Sequence, residues 1–189
     1  MASDSPSILA LSGSLRRDSL NQRLVEAAAN LARARGASVT VVRLSDYPMP
    51  LYNPDEIEAD APPEVHFLKQ RFRQHDGLLI ASPEYNGLMT AALKNALDWV
   101  SHPDEGYPRL DCFVGKSAGI MAAAPGRLGG IRGLPSLREL LSGVGVLVVP
   151  EQVALPFAAE AFEEGDELRP SREREMLEKL VSQLLAVMH

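Results

Sequence analysis

At 189 residues the chain is long enough for one well-formed core, and a composition of 46% apolar and 23% charged residues is that of a globular protein. A net charge of −6 argues against a nucleic acid or an anionic membrane engaged through bulk charge, while leaving room for a local basic pocket. The lone Cys112 excludes an intrachain disulfide framework and paired-cysteine metal or redox motifs.

The elements alternate along the chain. The opening MASDSPSILALSG has no basic segment ahead of its short apolar run, so it is a poor leader, and no apolar stretch approaches the length of a membrane span. The expected location is therefore the cytoplasm. Residues 7–12 read as a buried strand ended by Gly13. From 19 to 35, Leu20, Leu24, Ala27, Ala28 and Leu31 recur at helical spacing, and Gly36 stands where a helix C-terminal glycine belongs. The β-branched run 38–43 predicts strand two. The segment 45–63, rich in proline and acids, predicts a long loop, followed by a helix over 63–74 and strand three over 76–81. A helix over 89–100, a strand over 116–124, a glycine-rich loop, a helix over 131–142, a strand over 145–149 and a closing amphipathic helix over 171–187 complete the chain. There is no repeat and no linker, so residues 1–189 are expected to form a single domain.

Short apolar strands separated by helices imply an α/β fold with a five-stranded parallel sheet and helices on both faces, a three-layer sandwich. Ligands of such sheets bind outside the carboxyl ends of the strands. The informative segments are then SGSLRRDSLN (12–21), SPEYNGLMT (82–90) and APGRLGG (124–130). In the first, Ser14, Ser19 and Asn21 offer side-chain donors, Arg16 and Arg17 offer charged ones, and the helix that follows presents its N-terminal amides. One reading is a phosphate cradle. The other is helix capping by Asp18 or Ser19 without a ligand. For a single residue the two weigh equally; the set as a whole favours phosphate.

Competing motifs fail on context. LDCFVGKS (110–117) ends like a Walker loop but has Leu110 in place of the first glycine and precedes a strand. GKSAG matches the hydrolase elbow only in letters, because Ser117 begins a strand. The histidines show no ligand spacing, and no metal site is implied.

GSLRRDSLN followed by SPEYNGLMTAALKNALDWVS resembles the NADPH-dependent FMN reductase family, which includes quinone, azo-dye and chromate reductases; the resemblance covers about residues 7–150. It implies a flavodoxin-like fold with bound FMN, reduced by NADPH or NADH, and a ping-pong transfer of two electrons to a small acceptor such as a quinone, free flavin, azo compound or metal oxyanion. Ser14, Arg16, Ser19 and Asn21 match the family's FMN-phosphate loop. Pro83, Glu84, Tyr85 and Asn86 match the loop along the isoalloxazine ring and ribityl chain, with Gly87 letting the backbone turn. Tyr85 could stack near the flavin, pack between subunits, or be a plain surface residue. At the end of strand four family members often carry a hydroxyl. Here Ala122-Ala123-Ala124-Pro125-Gly126 leaves only backbone donors, so contact is expected through the amides of Ala123 and Gly126.

The chemistry belongs to the cofactor, and no side chain stands out as a proton donor; no catalytic residue is named. Arg127 or Arg132 could touch the 2′-phosphate of NADPH, or simply be solvated. Loop 45–63 could form a lid, with Met49, Leu51 and Tyr52 facing an acceptor or pinning the loop to the body. Trp99 reads as core or subunit contact. The resemblance further implies a homodimer or homotetramer, with 105–113, helix 89–100 and the loop after Val149 as contact surfaces. Two rival classes stand beside the reductase: a flavodoxin-like electron carrier and a non-catalytic flavin-binding redox sensor.

Overall fold

The computed structural model describes residues 5–56 and 61–188. Part of the N-terminal stretch and part of loop 45–63 therefore lie outside the described residues, as does His189. The elements are β1 (Ser7–Ser12), α1 (Leu20–Ala34), β2 (Ser38–Arg43), α2 (Pro63–Arg73), β3 (Gly77–Ala81), α3 (Ala91–Ser101), β4 (Ser117–Ala123), α4 (Leu134–Gly143), β5 (Leu147–Leu155) and α5 (Arg172–Val187). All strand pairings are parallel, in the order β2-β1-β3-β4-β5.

Side chains alternate across the sheet with the strand period of two, and this builds two cores. Ile8, Ala10 and Leu79 face α1 and α5, meeting Leu24, Ala28, Leu180 and Leu184. Leu9, Leu11, Leu78 and Ile80 face α2, α3 and α4, meeting Phe72, Leu93, Leu97 and Leu137. Gly119 lets α5 sit close to β4, because a Cβ there would come within 2.5 Å of Leu180 Cδ2. The chain leaves β1 toward β2 and returns to β3 on the other side of β1. The carboxyl ends of β1 and β3 thus form the switch point where such sheets open a crevice.

The elements depart from the predicted boundaries for local reasons. Helix α1 ends in a Schellman pattern, in which the Ala37 and Gly36 amides donate to the carbonyls of Ala32 and Arg33 and Gly36 takes φ +90°. Helix α3 starts at Ala91 because Thr90 is its N-cap, accepting from the Leu93 amide at 3.1 Å. The stretch 131–133 is a 3-10 turn before α4. Loop 45–63 holds 3-10 turns at Leu44–Asp46 and Pro54–Glu56.

The largest difference is β5, which runs on to Leu155, so the expected contact loop after Val149 is strand. Pro150 is tolerated because β5 is an edge strand with a bulge, where the register jumps from Ala118↔Val148 to Ile120↔Gln152. Arg138 of α4 holds the bulge by donating to the carbonyls of Val148 at 3.2 Å and Val149 at 2.9 Å.

A charge cluster fixes the segment after α3. Lys69, 1% exposed, donates to the His102 carbonyl at 2.7 Å and pairs with Asp104. Arg73 pairs with Asp104 and Asp111 and lies over the Tyr107 ring. Cys112 and Phe113 are buried, so the stretch 105–113 is in part core rather than free surface. Burial, then the Asp111 charge, pushes the Cys112 thiol up to about 11, which makes it inert near neutral pH. Burial, then the Lys69 ammonium, lowers the affinity of His102 for a proton. Burial alone would raise Asp104, but hydrogen bonds from Lys69 and Arg73 outweigh it and hold the carboxyl below its ordinary value.

Two outcomes follow from this packing. Leu180→Ala should lower unfolding free energy by about 2–5 kcal/mol, read as a shifted urea midpoint at unchanged slope. In the pH direction, His102 is neutral in both states above about 6.5, so nothing is lost there. As pH falls below that value the unfolded chain takes up the proton first and stability declines; Asp104 adds a further decline below about 3.8. Urea midpoints measured from pH 8 to pH 3 should therefore fall steadily on the acid side, and His102→Asn should remove the first part of the fall.

Candidate functional site

At the switch point the three loops close around one cavity of about 390 Å³, within the usual range of small-molecule sites of roughly 300–1,000 Å³. Its lining includes Ser14, Arg16, Ser19, Asn21, Pro83, Glu84, Tyr85 and Ala123, together with Asp18, a cap candidate in the sequence. A second cavity of about 370 Å³ shares Glu84 and Ala124 with the first and is lined by Gly126, Arg127, Gly130 and Arg132. Asn86 and Gly87 line neither. They are the central residues of a two-residue turn between Tyr85 and Leu88, both at positive φ (54° and 86°), and the paired Tyr85–Leu88 backbone closes it. That is a type I′ turn, for which Asn-Gly is the preferred pair.

The first loop is built by close approach. Gly13 continues the ladder, its amide donating to the Ala81 carbonyl at 2.8 Å. A Cβ on Gly13 would lie 2.8 Å from Leu93 Cβ and 3.0 Å from Thr90 Oγ1, so only glycine lets α3 approach. Thr90 Oγ1 donates to the Gly13 carbonyl at 2.6 Å and its own amide donates to Ser82 Oγ at 3.3 Å. One hydroxyl thus caps α3 and ties the first loop to the second. Thr90 was missed in the sequence, although a threonine just before an apolar-periodic segment is a recognised helix-start signal.

Within the loop, capping leaves donors free. Ser19 is the N-cap of α1 and accepts from the Gln22 amide at 3.1 Å; Ser14 accepts from the Arg16 amide at 3.3 Å. Both hydroxyls are nearly buried and act as acceptors, so each retains a proton to donate. Among the described residues the amides of Leu20 and Asn21, in the first turn of α1, have no backbone acceptor. Arg16 and Arg17 are exposed, and neither is in an ion pair among the described residues. The set is rich in donors and, despite Asp18 in the same loop, suited to a phosphate.

Asn21 does something different from the donor role read in the sequence. Its Nδ2 donates to the Ala123 carbonyl at 2.8 Å and its Oδ1 accepts from the Ala123 amide at 2.9 Å. The side chain mimics a neighbouring strand and fastens α1 to the end of β4. The Ala123 amide, expected as a free backbone donor, is engaged by the same contact.

The remaining candidates separate. Arg132 is held by Glu84: Glu84 Oε1 accepts from Arg132 Nε at 2.7 Å and Oε2 from the Arg132 amide at 3.1 Å. Arg127 is exposed at the second cavity. Trp99 is buried and donates to the Pro50 carbonyl at 2.8 Å. Tyr52 is pinned by Asn95, by His102 at 3.0 Å and edge-on against Trp99, whereas Leu51 is exposed. The loop after β2 is therefore strapped to α3.

The family model described as NADPH-dependent FMN reductase matches residues 6–160. An NAD(P)H-dependent FMN reductase of Pseudomonas aeruginosa is 36% identical over 184 residues, 96% of this chain and 95% of the relative. A quinone reductase of Pseudomonas putida is 33% identical, with 86% and 84% of the two chains covered. Among solved structures, the flavoenzyme NAD(P)H:(acceptor) oxidoreductase FerB of Paracoccus denitrificans superposes with a TM-score of 0.83 at 30% identity, covering 97% of each chain.

Asn21→Asp should place a carboxylate oxygen against the Ala123 carbonyl. The expected loss is about 2 kcal/mol of unfolding free energy, with accelerated amide hydrogen exchange at the end of β4. Unchanged exchange there would mean that the contact does not fasten the site.

Proposed function

Because the chain belongs to the NADPH-dependent FMN reductase family, we propose that it is an oxidoreductase taking two electrons from NAD(P)H and delivering them, through FMN held in the switch-point cavity, to a small acceptor such as a quinone, free flavin, azo compound or metal oxyanion. The observation that carries this reading is the donor set lining one cavity: the spare hydroxyl protons of Ser14 and Ser19, the first-turn amides of α1, and Arg16.

These groups would hold the phosphate. Pro83, Glu84 and Tyr85 on one side, with the Ala123–Gly126 backbone on the other, would flank the ring and ribityl chain. When bound, FMN supplies the hydride-accepting and hydride-donating chemistry, which is why the site needs no side-chain nucleophile or metal cluster. The protein's part is placement. The Gly13 contact and the Thr90 hydroxyl fix the first loop against the second, and Asn21 fixes both against β4. Preorganised amides of this kind stabilise charge without moving when it forms.

An assembly of two or four chains is part of this proposal. Leu15, Tyr85, Leu88, Leu128 and Ile131 are large, exposed apolar side chains on the loops around the cavities, a distribution that suits a covered surface. Light scattering at micromolar concentration should give two or four times the chain mass; a single-chain mass would remove this part.

The direct test is the visible spectrum of the protein with added FMN, recorded without oxygen before and after NADPH. Bound-flavin bands that bleach, and that return on addition of a quinone, are expected. Bands that persist with NADPH would turn the assignment toward an electron carrier or a redox sensor. No FMN binding at all would overturn it.

A further inference from the structure

Glu84 is one of two residues, with Ala124, that the two cavities share on their common wall, and its side chain is only 7% exposed. It takes both polar contacts from one residue: the Arg132 amide on Oε2 at 3.1 Å and the Arg132 guanidinium on Oε1 at 2.7 Å. The turn that carries Arg132 is moulded to this wall. A Cβ on Gly130 would sit 2.8 Å from Ala122 Cβ and 3.7 Å from Glu84 Cβ, and one on Gly133 would sit 3.5 Å from Glu84 Cβ. The carboxylate therefore anchors the glycine-rich loop through the Arg132 amide. It also leaves a buried negative charge beside whatever fills the first cavity.

The geometry points to the Glu84–Arg132 pair as a charge-balancing anchor for the cofactor site: the amide contact holds the loop, and the guanidinium cancels the carboxylate that the anchor requires. This rests on the reading that the cavity holds FMN. Two-electron reduction of FMN by a hydride from NAD(P)H, which leaves as NAD(P)⁺, adds negative charge to the bound flavin. An unbalanced carboxylate on the cavity wall would oppose that change, since charges interact strongly where water is partly excluded. Arg132 itself is 63% exposed and partly screened by solvent, whereas Glu84 is not. Glu84 is thus a positioning residue, not a catalytic one, and Arg132 is committed to it.

Near-isosteric variants separate charge from anchoring. Arg132→Gln leaves the backbone amide on Glu84, so the loop stays tethered while the carboxylate loses its countercharge. Glu84→Gln keeps an acceptor for that amide and leaves the guanidinium unbalanced. The readouts are the midpoint potential of bound FMN at pH 8, from slow anaerobic reduction with dithionite against a reference dye, and the FMN dissociation constant from fluorescence quenching. The potential should move down in Arg132→Gln, up in Glu84→Gln, and return close to the starting value in the double variant, whose wall is neutral again. FMN binding in Glu84→Gln should stay within about threefold of the unaltered protein, because the Arg132 amide keeps its acceptor and the loop its tether. Shifts of the same sign in both single variants, or no shift in either, would overturn the inference while leaving the reductase reading intact. Failure of the unaltered protein to bind FMN would overturn both.

Discussion

The site depends on one amide. Asn21 reaches from the first turn of α1 to Ala123, 102 residues away, and satisfies both the N–H and the C=O of that residue. Without it, the loop after β1 and the end of β4, which β3 separates in the sheet, would not be joined into one cavity wall. A buried backbone N–H and C=O left without partners would each carry a desolvation penalty of about 1–3 kcal/mol, so the contact is strongly determined. The Thr90 hydroxyl repeats the logic one strand over, binding the Gly13 carbonyl. Two short polar side chains thereby turn three loops into a single preorganised wall. The contacts that place the loops are all made within the chain.

Much of this was legible in the sequence, and the part that was not has a physical explanation. The sheet, its parallel character and its helices followed from apolar runs of strand length alternating with segments of helical period. The cavity followed from a general property of such sheets, that ligands sit at the carboxyl ends near the reversal of strand order. Residue type showed what Ser14, Ser19 and Arg16 could offer. It did not show where Asn21 would spend its hydrogen bonds, because the partner is a backbone group with no identity in the sequence. The same holds for Arg132, read as a solvated side chain or a phosphate ligand and found on Glu84. The extension of β5 past Pro150 was hidden because proline argues against a strand; only the edge position and the carbonyl contacts of Arg138 make it admissible.

Groups with displaced proton affinity sit apart from the cavity. His102, Asp104, Arg73 and Cys112 gather around the segment after α3, and Lys116 donates to the His75 carbonyl at the amino ends of β3 and β4. In many enzymes perturbed titrating groups mark the chemistry. Here they mark the scaffold: a buried lysine and a half-buried arginine whose carboxylate partners tie down an irregular segment, next to the strap formed by Tyr52, Asn95 and Trp99. The separation fits a site whose reactive atoms belong to a cofactor, since the protein then has no proton of its own to hold at an unusual affinity. It also places the acid sensitivity of the fold away from the loops that bind.

The charge distribution shows how an acidic chain can hold an anion. The net charge is −6, and at physiological ionic strength the influence of a distant surface charge fades within about 8 Å. The proposed phosphate loop would act well inside that distance, with two arginines, two hydroxyls and the amides of a helix start. Of the carboxylates lining the cavities, Glu84 is cancelled by Arg132, which leaves Asp18 exposed at the rim. The local sign is therefore set by groups within contact range of the ligand, and the global charge governs little beyond the approach of distant ions. A carboxylate retained in such a place needs a structural reason, and the amide of Arg132 supplies it: the glycine-rich loop has no other side-chain anchor to the wall of the first cavity among the described residues.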